Sequence, residues 1–241
     1  MINDSYWGPV LCGTWLAMAA TIAVADGSTV DKVYPPYVEP LEWELEWRAI
    51  VANKTPQSGE RRKEVHKLGL GRAVSEFVFL EMYVVGEPSS GDNLALQAYE
   101  VELLWQLSEQ GEYAVDYGLL FELEKEHHKD LWEYTTTVLL EKEWGRFSGA
   151  ANLSVTYEWG DDIHNEFETA VALQSRYRYS ERFEPALELY VGQDTRALGP
   201  VIMGFERLGV MKALRWEIGT VFGLDSNTAD YTLRGVLEYE F

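Results

Sequence analysis

The chain has 241 residues, 40 acidic against 20 basic, giving a formal net charge of −20, and 46% of it is apolar. That charge excludes a nucleic-acid partner, whose phosphates need a basic surface, and disfavours attraction to anionic head groups. No stretch is rich enough in Pro, Gly or Ser to act as a linker, so a single domain is the simplest organisation.

Residues 9–25 form an apolar run ending in Ala23-Val24-Ala25 before Asp26, the small-x-small pattern that a signal peptidase cuts after. Residues 1–25 are read as a signal peptide, although Asp4 stands where such leaders carry positive charge. A transmembrane helix is the rival reading, but the run barely spans about 30 Å of hydrocarbon and no charged stop-transfer segment follows. The single cysteine, Cys12, lies inside this leader. Removing it removes any disulfide, cysteine-ligated metal or cysteine nucleophile.

From Glu42 onward apolar residues recur at every second position, the period of a strand with one oily and one polar face. In the first such segment Trp43, Leu45 and Trp47 oppose Glu42, Glu44, Glu46 and Arg48. The pattern predicts twelve strands: 42–53, 62–71, 75–86, 94–107, 112–125, 130–144, 147–159, 165–179, 183–193, 198–207, 211–223 and 229–241. Alternation is weakest over 62–84 and 198–207. Short connections such as Gly145-Arg146 alternate with longer polar ones such as Asn53 to Glu60, the habit of outer-membrane barrels.

Residues 26–241 are therefore read as an all-β protein, a transmembrane antiparallel up-and-down barrel of about twelve strands. A soluble barrel would also alternate, but its charges would need to face water. Aromatic residues cluster at strand ends, with Trp105, Tyr113, Trp144, Phe147 and Tyr179 at one rim and Trp132, Trp159, Phe167 and Tyr231 at the other. Two such girdles are what two membrane interfaces select, and Phe241 is counted with them.

The last strand, from Tyr231 to Phe241 with Leu233, Leu237 and Tyr239 alternating, resembles the terminal signal of bacterial outer-membrane proteins. The wider chain resembles an uncharacterised, porin-like proteobacterial outer-membrane barrel family through Pro36-Tyr37-Val38-Glu39 and Glu42 to Trp47. The resemblance implies the barrel fold, outer-membrane lipid around it and recognition by the barrel-assembly machinery. It implies no activity and carries over no site residues.

With the oily face on lipid, the lumen would be lined by Glu42, Glu44, Glu46, Arg48, Glu100, Glu102, Asp116, Glu122, Glu133, Glu141, Glu166, Glu168, Arg176, Arg178, Glu188, Arg215, Glu217, Arg234 and Glu238. Such an acidic lining attracts cations, as carboxylate rings do in cation-selective pores. The leading reading is a non-enzymatic channel for cationic or neutral small solutes. The alternative is a non-conducting structural barrel or the sheath of a partner, a periplasmic protein being one candidate.

A continuous water path would favour the channel, and a salt-bridged plug the alternative. A barrel-embedded hydrolase is a third reading and would need a Ser or Asp beside His66, the only strand histidine. No cofactor is expected. His127, His128 and His164 fall in neighbouring external loops and could bind a divalent metal there, although adjacent loop histidines are more often simply solvated.

Overall fold

In a computed structural model describing residues 30–53, 62–89 and 93–241, the chain forms one closed barrel of twelve strands. The leader and Cys12 lie outside these described residues. The strands are β1 (Trp43–Asn53), β2 (Arg62–Ala73), β3 (Val78–Pro88), β4 (Leu94–Gln106), β5 (Asp116–Glu126) and β6 (Trp132–Trp144). They continue with β7 (Phe147–Trp159), β8 (Glu166–Tyr177), β9 (Glu184–Val191), β10 (Arg196–Gly209), β11 (Lys212–Gly223) and β12 (Tyr231–Glu240).

Each strand pairs antiparallel with the next, and β12 returns to β1 from Glu44 opposite Glu240 to Asn53 opposite Tyr231. Closure satisfies every strand edge, which a bilayer demands because lipid offers no hydrogen bonds. The start of β1 and the end of β12 meet at one end, here called the lower rim, where Trp43 and Phe241 exchange backbone hydrogen bonds.

Period-two alternation turns Trp43, Leu45, Trp47, Leu68, Leu70, Met82, Val84, Ile218, Leu233 and Leu237 outward, all substantially exposed. A belt of this kind on every side is far larger than the apolar patches water-soluble monomers carry, and it matches a hydrocarbon layer. Among the outward aromatics, Trp105, Tyr113, Trp144, Tyr179, Tyr231 and Phe241 are exposed, while Trp132 and Trp159 are stacked on each other. Phe241 stacks on Tyr239.

The weakly alternating segments have a physical cause on the inner face. On β2 the inward positions include Gly69 and Gly71, and the space a Cβ would need is taken by Glu81, Tyr83 and Phe79 leaning across from β3. On β9 to β11 the inward residues include Tyr190, Ala197, Val201, Met203 and Val221, so both faces of these strands are partly apolar. β5 begins at Asp116, four residues after the expected start. The chain turns before it, with the Gly111 amide donating to the Asp116 carboxylate at 2.9 Å, and Tyr113 stands in this turn.

The wall also starts later than residue 26. Residues 30–42 precede β1 and form no strand; from Val30, buried against Tyr190, Ala197 and Val221, the chain passes down the inside of the barrel to Tyr37 beside Asp116 and reaches the lower rim at β1.

Candidate functional site: an occupied, carboxylate-lined lumen

Segment 30–42 is extended through Tyr34-Pro35-Pro36, where proline fixes its own φ and biases the preceding residue away from helix. An extended segment with no strand paired to it must find other partners for its backbone, and the wall supplies them. The Tyr34 amide donates to Asn152 Oδ1 at 2.7 Å, and Asn152 Nδ2 donates back to the Tyr34 carbonyl at 2.9 Å. The Val38 amide donates to Gln106 Oε1 at 2.7 Å. Tyr34 and Tyr37 hydroxyls donate to Glu102 and Asp116 at 3.0 and 2.9 Å.

Apolar contact completes the docking. Val30 and Val33 bury against Tyr190, Ala197 and Val221, the apolar sector of the wall that blurs its own alternation. Lower down, Gly118 leaves room for Pro36. A Cβ at 118 would stand 3.2 Å from the Pro36 Cβ and 3.0 Å from the Trp105 carbonyl oxygen.

Asp31 and Lys32 form the charged centre of this arrangement. Arg48, fully buried on β1, donates from Nη1 to Asp31 Oδ1 at 2.6 Å and from Nε to Glu46 Oε1 at 2.8 Å. Its Nη2 also reaches the Tyr34 and Tyr83 hydroxyls at 3.0 and 3.2 Å. Lys32 Nζ donates to Glu46 Oε2 at 2.8 Å and to Glu238. Arg234, buried on β12, donates to the Asp31 carbonyl and binds Glu188 and Glu217 at 2.9 and 3.0 Å.

Lys67 lies 3.4 Å from Asp31 and 2.8 Å from Glu100. Burial works to raise the Asp31 carboxyl, but Arg48 and Lys67 outweigh it and hold it well below the usual carboxylate range.

The register places the remaining lining residues. Across β4 to β8, Glu100, Glu124, Glu133, Glu158 and Glu166 stand directly opposite one another in a single inward row. A parallel row across β3 to β5 holds Glu81, Glu102 and Glu122. Like charges facing across strands oppose folding, so these rows cost stability wherever the carboxylates are ionised. Glu168 lies on the same inward face of β8 toward the upper end.

At the lower mouth Arg176 binds Glu141 at 3.1 Å, Arg178 binds Glu143 and Arg215 binds Glu240. Glu42 stands at the rim of the same mouth.

Between the segment and the wall remains a cavity of about 220 Å³. Its lining holds nine carboxylates, including Glu42, Glu44, Glu81, Glu102, Glu141, Glu217 and Glu238, against Lys32, Arg176 and Arg215. Oxygens converge within 4.8 Å of one another in two triads, Glu44 with Glu46 and Glu238, and Glu100 with Glu102 and Glu122.

The loop histidines are arranged otherwise. His127 and His128 rings lie 4.6 Å apart after β5, and His164 is in the β7–β8 loop. Among the described residues neither converging ligand set contains a histidine. His66 faces outward, stacked on Trp47, with Nε2 3.0 Å from Glu64, so its neighbours are an indole and a carboxylate.

Sequence reasoning did not find Asp31, Lys32, Tyr34 and Tyr37 as lumen residues. The available signal was a short stretch, Val30 to Val38, carrying apolar and charged residues with two prolines but no strand period.

A closed twelve-strand antiparallel barrel with an apolar outer belt and a polar interior has the architecture of an outer-membrane β-barrel. The chain is similar in fold to an outer membrane channel from Pseudomonas putida F1, with a TM-score of 0.58 and 13% identity over 87% of this chain and 99% of the other. It is also similar to the KdgM porin, solved in complex with disordered oligogalacturonate, with a TM-score of 0.53 and 10% identity over 82% of this chain and 98% of that one. No protein-family model and no curated protein sequence matches the chain.

Proposed function

We propose that the protein is an outer-membrane channel for small cationic or neutral solutes, narrowed at rest by its own residues 30–42. The observation that carries this reading is the carboxylate-rich cavity left between that segment and the wall. Fixed negative charge in a confined, low-dielectric passage concentrates cations and repels anions. Desolvation offsets much of the attraction in the ion pairs that dock the segment, so the obstruction they hold is a removable one.

The two barrels similar in fold are named a channel and a porin, which supports conduction here. The alternating strand that ends on Phe241 supports delivery to the outer membrane by the barrel-assembly machinery. The reading is non-enzymatic: the partners of His66 are the Trp47 indole and the Glu64 carboxylate, and the lumen is taken as a passage.

A second reading is favoured by one observation: segment 30–42 is ion-paired on several sides, as a permanent plug in a structural barrel or partner sheath would be. Planar-bilayer recordings of the full chain under a salt gradient separate the two. A current with a cation-preferring reversal potential supports the channel. Absence of conductance supports the plugged barrel, and anion preference contradicts the selectivity.

A further inference from the structure

The cavity has a feature that neither docking of the segment nor general cation attraction uses. Glu81 lines it and is 4% exposed, yet its Oε1, packed over Gly69 beside the Tyr83 ring, makes no hydrogen bond of good geometry. Burying a carboxylate oxygen unpaired is costly, and native structures resolve such a debt with a ligand, an ion or a proton. Glu81 sits directly opposite Glu102 on β4 and, across the bare Gly71, in line with Glu44 on β1. It therefore links the two carboxylate triads.

The protein already shows what such a triad accepts. Lys32, carried in by segment 30–42, places its ammonium between Glu46 and Glu238, with its Nζ 5.1 Å from the centre of the Tyr34 ring. The occupant is a primary ammonium on an unbranched alkyl stem, beside an aromatic face. The wall around Glu81 repeats these elements, with Glu44 and Glu102 as acceptors and Phe79 and Leu104 as apolar lining. Ca²⁺ would need six or more oxygens at about 2.3–2.6 Å, and several here are committed to Lys32, Lys67 and Tyr34. A hydrated ion would also waste the apolar lining, whereas an alkylammonium uses both.

We propose that this cavity is a binding site for small aliphatic amines, one ammonium seating on Glu81 with Glu44 and Glu102 beside the ammonium of Lys32. The site names the solute class of the channel and so rests on that reading, but binding can be measured without conduction. A volume of about 220 Å³ suits a short chain and excludes large ligands.

The test is isothermal titration of 1,5-diaminopentane into the detergent-solubilised full chain, with glutarate and CaCl₂ as comparison titrants. Saturable diamine binding is expected, weakened about tenfold to hundredfold in Glu81→Gln by loss of a charge-assisted hydrogen bond. Glu181→Gln, in the exposed β8–β9 turn, should bind as the wild type does, and heat-modifiable gel mobility reports that each variant is folded.

Diamine binding unchanged in folded Glu81→Gln, or binding of Ca²⁺ but not diamine, overturns the site. Bilayer recordings of the same preparations separate the readings. Binding without current upholds the site and refutes the channel, and current without binding does the reverse.

Discussion

Two sectors of the inner wall hold opposed carboxylates in different ways. At the β1–β12 seam, Glu46 faces Glu238 and Glu44 faces Glu240, and cations answer them: Lys32 bridges the first pair and Arg215 binds Glu240. Across β4 to β8, the row from Glu100 to Glu166 sets carboxylate against carboxylate over four successive strand pairs, with Lys67 bound at its β4 end. The difference teaches what segment 30–42 does. Charge on the seam is answered in part by a piece of the chain itself, through Lys32, while the row across β4 to β8 stands beyond that segment's ion pairs and takes Lys67 from the wall at its β4 end.

The largest effect is expected where the seam network is cut. Arg48→Met leaves the partly buried Asp31 without its guanidinium and strips one partner from the fully buried Glu46. Removing one member of a buried pair costs about 3–5 kcal/mol. Unfolding in urea, followed by heat-modifiable mobility, should show a loss of that order and reduced protection of the Tyr34 amide in hydrogen exchange. A stability equal to wild type would mean that the segment is not held by charge.

Gly118→Leu attacks the same docking by shape, since even a Cβ at 118 crowds Pro36. Displacement of the segment should raise single-channel conductance severalfold while the barrel stays folded. Conductance identical to wild type in a folded variant would show that the segment does not narrow the pathway.

The opposite wall is tested by Glu133→Gln, which removes one charge from the middle of the row. The reversal potential should move toward lower cation preference, and stability should rise by about 0.2–1 kcal/mol as like charges are relieved. A loss of stability would imply that Glu133 is bound to a cation in the resting protein.

The smallest effect is on pH. Asp31 has a folded-state pKa below its ordinary value, so its contribution to docking is complete above the ordinary aspartate pKa near 4 and is lost only as pH falls through the depressed value. Hydrogen exchange at the Tyr34 amide, which donates to Asn152, should therefore report a docked segment from neutral pH down to about 4. Release between pH 7 and 5 would show that another group controls docking.

Much of the barrel was legible because period two is a direct consequence of strand geometry. Glu46, Arg48, Glu188 and Arg234 declared their inward side through the apolar residues flanking them. The strands that read poorly, β2, β3 and β10, do so because their inner faces answer to something else: Gly69 and Gly71 to the side chains of β3, and the β9–β11 sector to Val30 and Val33.

Segment 30–42 itself was not legible as a lumen element. A proline-containing extended chain has no period, and its partners, Asn152, Glu102, Asp116 and Arg234, lie 68 to 203 residues away in sequence. The carboxylate row across β4 to β8 was visible only as individual inward glutamates. That they stand opposite one another is a property of register, which turn lengths set and alternation does not.

The central claim is that segment 30–42 narrows an acid-lined pathway. The most direct measurement compares single-channel conductance of wild type with the double variant Asp31→Ala/Lys32→Ala, which removes the two side chains that ion-pair the segment with Glu46, Glu238, Arg48 and Lys67. The account predicts a severalfold larger conductance with cation preference retained, because the wall carboxylates remain. Equal conductance in both proteins, or a wider pore that prefers anions, would contradict it.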